Sequence, residues 1–135
     1  MKRFFSFLVI SILTVSLLSA AAPMPNTTFR LVGGLPATMN VGETYTVTVQ
    51  VTSDQQFIFA QALPSFQYPG KGVVAVQGGS HVGSGTSATL TVTFRAKSST
   101  AQMPGSAAPV YVMVGVRYGG GYVDVQEYLF YVTVP

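Results

Sequence analysis

Thr44-Tyr45-Thr46-Val47-Thr48-Val49-Gln50-Val51-Thr52 alternates without a fault, with Tyr45, Val47, Val49 and Val51 at one set of positions and Thr44, Thr46, Thr48, Gln50 and Thr52 at the other. Successive side chains of a strand point to opposite faces, so period two over this length means one buried and one wet face. Ala88 to Ala96 repeats the pattern: Ala88, Leu90, Val92, Phe94 and Ala96 share a face, opposite Thr89, Thr91, Thr93 and Arg95. It is the partner that the first strand is built to face.

Outward from these two strands, the chain reads as β structure with tight turns. Phe29 to Val32 is a short strand ended by Gly33-Gly34, with Pro36 keeping the next stretch at an edge or out of the ladder. Phe57 to Leu63 is a third strand closed by Pro64; its irregular Phe57-Ile58-Phe59-Ala60 start means burial on both sides or an exposed apolar patch. Val73 to Gln77 lies between Pro69-Gly70 and Gly78-Gly79, both turn formers.

A loop from Lys97 to Pro109 leads into Val110 to Tyr118, where Val110, Val112, Val114 and Val116 share a face. Gly119-Gly120-Gly121 then makes a hairpin to Tyr122 to Val134, because glycine adopts positive φ at little steric cost. In that last run Tyr128, Phe130, Val132 and Val134 share a face, and its length leaves room for a bulge near Val125 to Glu127. No helical periodicity and no internal repeat follow residue 21.

The first 21 residues are of another kind. Lys2 and Arg3 form a basic n-region, Phe4 to Leu18 an apolar h-region, and Ser19, Ala20 and Ala21 the small residues of a cleavage site. An h-region of about 15 residues is shorter than the roughly 20 that span hydrocarbon, so a cleaved signal peptide is expected and no stable membrane span after it. The expected organisation is a signal peptide at 1–21, an extended N-terminal arm at 22–28 and one domain at 29–135. The expected location is exported: periplasmic, cell-surface or extracellular.

Removal of the signal also changes the charge. The full chain carries net +3, but two of its basic residues are Lys2 and Arg3. What is left is Arg30, Lys71, Arg95, Lys97 and Arg117 against Glu43, Asp54, Asp124 and Glu127, which is close to neutral. A nucleic-acid partner therefore loses its electrostatic basis. With no cysteine in the chain there are no disulfides, no thiol nucleophile and no zinc–thiolate site. Stability has to come from packing.

Seven strands with turn signals every 8 to 12 residues or so fit an all-β, immunoglobulin-like Greek-key sandwich. The stretch Val41-Gly42-Glu43-Thr44-Tyr45-Thr46-Val47-Thr48-Val49, followed by Ala88 to Phe94 and the final hairpin, resembles the Ig-like and fibronectin-III-like accessory domains of prokaryotic exported proteins. The resemblance covers nearly all of the chain after the signal. It departs from antibody-type domains in lacking the Cys pair and the core Trp. It implies a fold and a surface location and no chemistry, since such domains serve as spacers, adhesins and polymer subunits.

Candidate sites are few. His81 is the sole histidine, in Gly78 to Gly85, and coordinates a metal only if carboxylates converge on it; it reads as a solvated loop residue. Ser80 and Ser84 beside it lack an orienting acid and an oxyanion hole. Gly78 to Gly85 lacks the Gly-Lys-Ser/Thr ending of a phosphate loop and reads as flexible. Asp124 and Glu127, three apart on a strand, fall on opposite faces and make a poor acid/base pair. No catalytic residue, metal site or cofactor is assigned.

Of the aromatic set Phe57, Phe59, Phe66 and Tyr68, most belong to the core. The segment Phe66-Gln67-Tyr68-Pro69-Gly70-Lys71 sits beside two breakers, which makes Phe66, Tyr68 and Lys71 the candidate partner-binding patch. Tyr128 to Val134 is uncharged and strongly β-prone; it reads as a central or well-covered strand, or alternatively as a strand donated between subunits, with Ala22 to Phe29 as another donor. The function expected is a non-enzymatic module with a structural, adhesive or protein-binding role at the cell envelope. The alternatives are a self-assembling fibre or surface-layer subunit and, behind it, a small secreted hydrolase.

Overall fold

A computed structural model describes residues 23–135, so the expected signal peptide lies outside the described residues. The alternating stretch at Thr44 is the first half of one 23-residue strand, β2 (Thr44–Phe66). Around it stand β1 (Thr27–Gly33), β3 (Val73–Ala75), β4 (Ser80–Val82), β5 (Gly85–Ala96), β6 (Ala108–Tyr118) and β7 (Val123–Val132), with a short 3-10 turn at Pro104–Ser106 before β6. All pairings between these strands are antiparallel.

β2 serves two layers. Its first half pairs with β1 on one edge and β5 on the other, and β3 extends β5, giving the order β1-β2-β5-β3. Its second half pairs with β4 and β6, and β7 extends β6, giving β4-β2-β6-β7. Lettered in chain order, with the halves of β2 as B and C, these layers read A-B-E-D and C-F-G, the strand order of an immunoglobulin-like Greek-key sandwich. β4 adds a strand to the outer edge of the second layer.

Among the described residues the count of seven strands agrees with the sequence reading through two differences that offset each other. Two expected strands, Thr44 to Thr52 and Phe57 to Leu63, are one, because Ser53-Asp54-Gln55-Gln56 contains no Gly or Pro to interrupt it. Pro64 does not close the strand; it pairs with Val112. It is tolerated because β4 reaches only to Ala62, leaving one edge of β2 unpaired beyond that point. Conversely, Gly78 to Gly85 is not simply a flexible loop: Ser80, His81 and Val82 pair with Ala62, Gln61 and Ala60 as β4.

Three further expectations are corrected. Ala88 to Ala96 lies beside Thr44 to Thr52 in the same sheet, hydrogen-bonded edge to edge in the register Val49↔Leu90, rather than facing it across the core. β7 runs against β6 without interruption from Arg117↔Val123 to Ala108↔Val132, so there is no bulge at Val125 to Glu127. Tyr128 to Val134 is not central: β7 is the terminal strand of its layer. The hairpin is as expected, with Gly120 and Gly121 at φ 86° and 90° and Tyr118 N–H donating to the Tyr122 carbonyl.

One core fills the space between the layers. Val47, Val49 and Val51 of β2, Leu90, Val92 and Phe94 of β5, and Val110, Val112, Val114 and Val116 of β6 are all buried in a single cluster. Phe66 and Phe94, from different layers, meet edge to face with centroids 6.0 Å apart. At the bend of β2, the buried Phe57 pairs with Gly85 of β5 and with Tyr118 of β6. There the Tyr118 hydroxyl donates to Ser53 Oγ at 2.7 Å and bonds Thr27 Oγ1 at 2.5 Å, tying β1, β2 and β6 together.

The segment before β1 is held to the same corner. Asn26 N–H donates to Asp54 Oδ1 at 2.8 Å, and Gln55 Nε2 donates to the Pro23 carbonyl at 3.1 Å. Strand pairing starts at Thr27, two residues before the expected boundary.

Thr100 is the one buried polar side chain among the described residues. Its hydroxyl donates to the Ser106 carbonyl at 2.8 Å and accepts from Val134 N–H at 2.9 Å, pinning the segment after β7 to the β5–β6 connection. Thr100→Val keeps the shape and strands both backbone groups, so a loss of about 2 kcal/mol is expected. Thr100→Ser should lose less than half of that. Urea denaturation midpoints compare the two.

Candidate protein-contact face

The two outer faces of the sandwich have opposite chemistry. On the first layer, Thr44, Thr46, Thr48, Gln50 and Thr52 stand beside Arg95, Thr93, Thr91, Thr89 and Ser87. The Thr46 and Thr93 hydroxyls bond each other at 2.9 Å. This is the wet face that the alternation in the sequence demanded.

The second layer presents carbon to water. Pairing registers and the period of two place outward-facing side chains in cross-strand rows: Phe59, Arg117 and Val123; then His81, Gln61, Gly115 and Val125; then Leu63, Met113 and Glu127; then Ser65, Tyr111 and Leu129. A last row joins Pro109 to Tyr131. Val125 is 51% exposed and Tyr131 63%. Leu63, Met113, Val123 and Leu129 are also exposed.

Gly115 shapes the middle of this face. It has no side chain, and open space lies where a Cβ would stand. Phe59, Leu63, Met113, Val123 and Val125 rise around it and enclose a shallow depression of about 200 Å³. His81 leans over Phe59, the rings stacked at 5.7 Å with 27° between planes. Leu63, Met113, Val123, Val125, Leu129 and Tyr131 adjoin one another here, while the other exposed apolar residues, such as Val32, Val41 and Val76, lie apart from this face; a contiguous apolar patch is the mark of a contact surface.

The residues singled out from sequence are distributed as follows. Phe66 packs against the core through Phe94, whereas Tyr68 and Lys71 share a second depression, of about 260 Å³, with Ser98, Ser99, Gln102, Met103 and Pro104. The three candidate patch residues are therefore not one surface. Ser80 Oγ accepts from Thr91 N–H at 2.8 Å, which fastens β4 to β5. His81 is exposed on β4 and Ser84 follows the strand.

Asp124 is opposite Val116 and Glu127 opposite Met113, which puts the two carboxylates on different faces of β7. No group of three or more His, Asp or Glu side chains capable of holding a metal occurs among the described residues. Burial raises the Tyr128 phenol above its ordinary value. No helix among the described residues is long and apolar enough to cross a membrane.

The apolar face was half visible in the sequence. The irregular pattern at Phe57 to Ala60 signalled either double burial or exposure, and Phe59 together with the bulged Ile58 gives the second answer. Val123, Val125, Leu129 and Tyr131 carried the same signal, because the other parity of that strand, Tyr128, Phe130 and Val132, is apolar as well. Their joining into one surface depends on strand order, which alternation does not encode.

No protein-family model matches the chain, and no curated protein matches it. Solved structures similar to it include E. coli alpha-2-macroglobulin, at 12% identity and TM-score 0.44, over 84% of this chain and 7% of that one. Another is AvmM, which catalyses macrocyclization in alchivemycin A biosynthesis, at 11% identity and TM-score 0.46, over 81% of this chain and 88% of that one. BcpA, the major pilin subunit of Bacillus cereus, is similar at 10% identity and TM-score 0.41, over 83% of this chain and 41% of that one. The chain thus spans well under two thirds of the macroglobulin and of the pilin, and likeness at this level carries no functional argument.

Proposed function

We propose that this chain is an exported, non-enzymatic sandwich module with a structural, adhesive or protein-binding role at the cell envelope, working through the outward face of the β4-β2-β6-β7 layer. The observation that carries the reading is the contrast between the two faces: threonine and arginine on one, Phe59, Leu63, Met113, Val123, Val125 and Leu129 on the other. Burying exposed apolar area contributes roughly 25 cal/mol per Å², so a protein surface is the occupant that gains most from this face. Export rests on the basic, apolar and small-residue order of residues 1–21.

Capture of proteins from envelope extracts by the wild type and by Met113→Asp tests the reading. A charge in the middle of the face should reduce specific capture at least about tenfold, while Tyr68→Ala in the other depression should leave it unchanged. The opposite pattern would move the contact surface to Tyr68 and Lys71. An activity abolished by His81→Ala or by loss of Asp124 or Glu127 would refute a non-enzymatic role.

A second reading, a self-assembling subunit using strand addition, draws on β7. It is an edge strand of ten residues with no proline, lysine or bulge to discourage pairing. Among the described residues only its end is covered, where Thr133 N–H donates to the Ala37 carbonyl and Met39 N–H to the Thr133 carbonyl. Filaments in electron micrographs that disappear with Tyr128→Pro or Leu129→Pro would favour it.

A further inference from the structure

We infer that the occupant of the apolar face is a second copy of this chain, docked face to face about a two-fold axis that lies across the strands along the row His81, Gln61, Gly115 and Val125. The inference rests on the reading of this face as the contact surface and adds the identity of the partner.

Charge placement carries it. Among the outward positions of the second half of β2, β6 and β7 there is one cation, Arg117, and one carboxylate, Glu127. Arg117 is in the row on one side of Gly115, and Glu127 is in the row on the other side and one strand over. Four residues of strand separate the rows, roughly 14 Å, so the two cannot pair within one chain. A two-fold axis along the Gly115 row exchanges the flanking rows and keeps each strand over its own copy. Arg117 of one molecule then stands above Met113 of the other, one strand spacing from Glu127, about 5 Å to the side and within reach of an arginine side chain.

The pairing occurs twice, as an isologous interface requires. An axis running along the strands instead keeps each row over itself, so Arg117 and Glu127 never meet and the charges also select the orientation. Gly115 sits on the axis, and its missing side chain lets the facing sheets close over Phe59, Leu63, Met113 and Val125. About this axis three rows, from Arg117 to Met113, face their own copies, so three to four strands cover roughly 300–400 Å² per copy, below the size of a standard specific interface, and the dimer should be weak and concentration-dependent.

Sedimentation velocity of the purified protein from low to high micromolar concentration tests this, with Arg117→Glu, Glu127→Arg and the double reversal as variants. Both positions are exposed strand sites, and unchanged thermal melts would confirm intact folding. Each single reversal should weaken dimerisation at least about tenfold, and the double reversal should restore it to within about threefold.

Because the chain has no cysteine, single engineered ones report position. Val125→Cys lies on the axis, faces its own copy and should cross-link efficiently with a short bismaleimide, whereas Leu129→Cys, two rows away, should not. A monomer throughout the range, singles and double that behave alike, or Leu129→Cys linking as well as Val125→Cys would overturn the inference. A monomer whose partner capture is still abolished by Met113→Asp overturns the homodimer alone. A monomer without face-dependent capture overturns the contact-face reading as well.

Discussion

Phe57→Ala is expected to cost about 4 kcal/mol of unfolding free energy, the upper part of the range for a fully buried large side chain. Phe57 has no exposed surface and stands where β2 passes from one layer to the other. It pairs with Gly85 and with Tyr118, and its ring lies against Gly85, where a Cβ would make ordinary contact with Phe57 Cζ at 3.7 Å. Truncation opens a cavity at a point that both sheets share, where neither can collapse without pulling on the other.

With total stabilities for such domains of about 5–15 kcal/mol, the variant should be close to unfolding. Phe57→Leu should recover more than half of the loss. Chemical denaturation followed by tyrosine fluorescence measures both, and a Phe57→Ala loss below about 1.5 kcal/mol would show that the bend does not depend on this side chain.

Gly79→Ala is expected to detach β4. Gly79 has φ 105°, a conformation that L residues rarely adopt, and an added Cβ would collide with the Ala62 carbonyl. Backbone sits on both sides of that clash, so relief requires β4 to move off the edge of β2. The pairs Ala60↔Val82 and Ala62↔Ser80 and the Phe59–His81 stack would go with it.

The global cost should be about 2–3 kcal/mol, with the larger change local. Hydrogen exchange at Ala60, Ala62, Ser80 and Val82 should accelerate by at least about a hundredfold relative to the β6 core. Gly78→Ala, whose Cβ would meet open space, should change little and serves as the control.

These two sites mark where the sequence was readable and where it was not. Alternation at Thr44 to Thr52, Ala88 to Ala96 and Val110 to Val116 identified the buried faces, with Tyr45 at the start of β2 the exception at 40% exposed, because period two survives any arrangement of neighbours. The β4 strand escaped notice because three residues between glycines are too short to show a period; it exists through pairing with an edge 18 or more residues earlier in the chain. The continuity of β2 through Ser53 to Gln56 escaped for the opposite reason: polar residues there look like a turn, but at a corner their side chains face solvent or bond Tyr118 and Asn26.

The site divides along the same line. Phe66 shares its flanking breakers with Tyr68 and Lys71, yet its ring is drawn onto Phe94 by a layer contact that local sequence does not reveal. The apolar face needed the positions of Phe59, Met113 and Val125 on three strands to be known together.

Whether this protein works through its apolar face is tested most directly by methyl NMR of the purified chain as its own concentration is raised and as envelope proteins are added. Perturbations should gather on Leu63, Met113, Val123 and Val125 and leave the Thr46, Thr48, Thr91 and Thr93 methyls unmoved. Perturbations centred on the threonine face, or none on the apolar face under either condition, would contradict a role for that face.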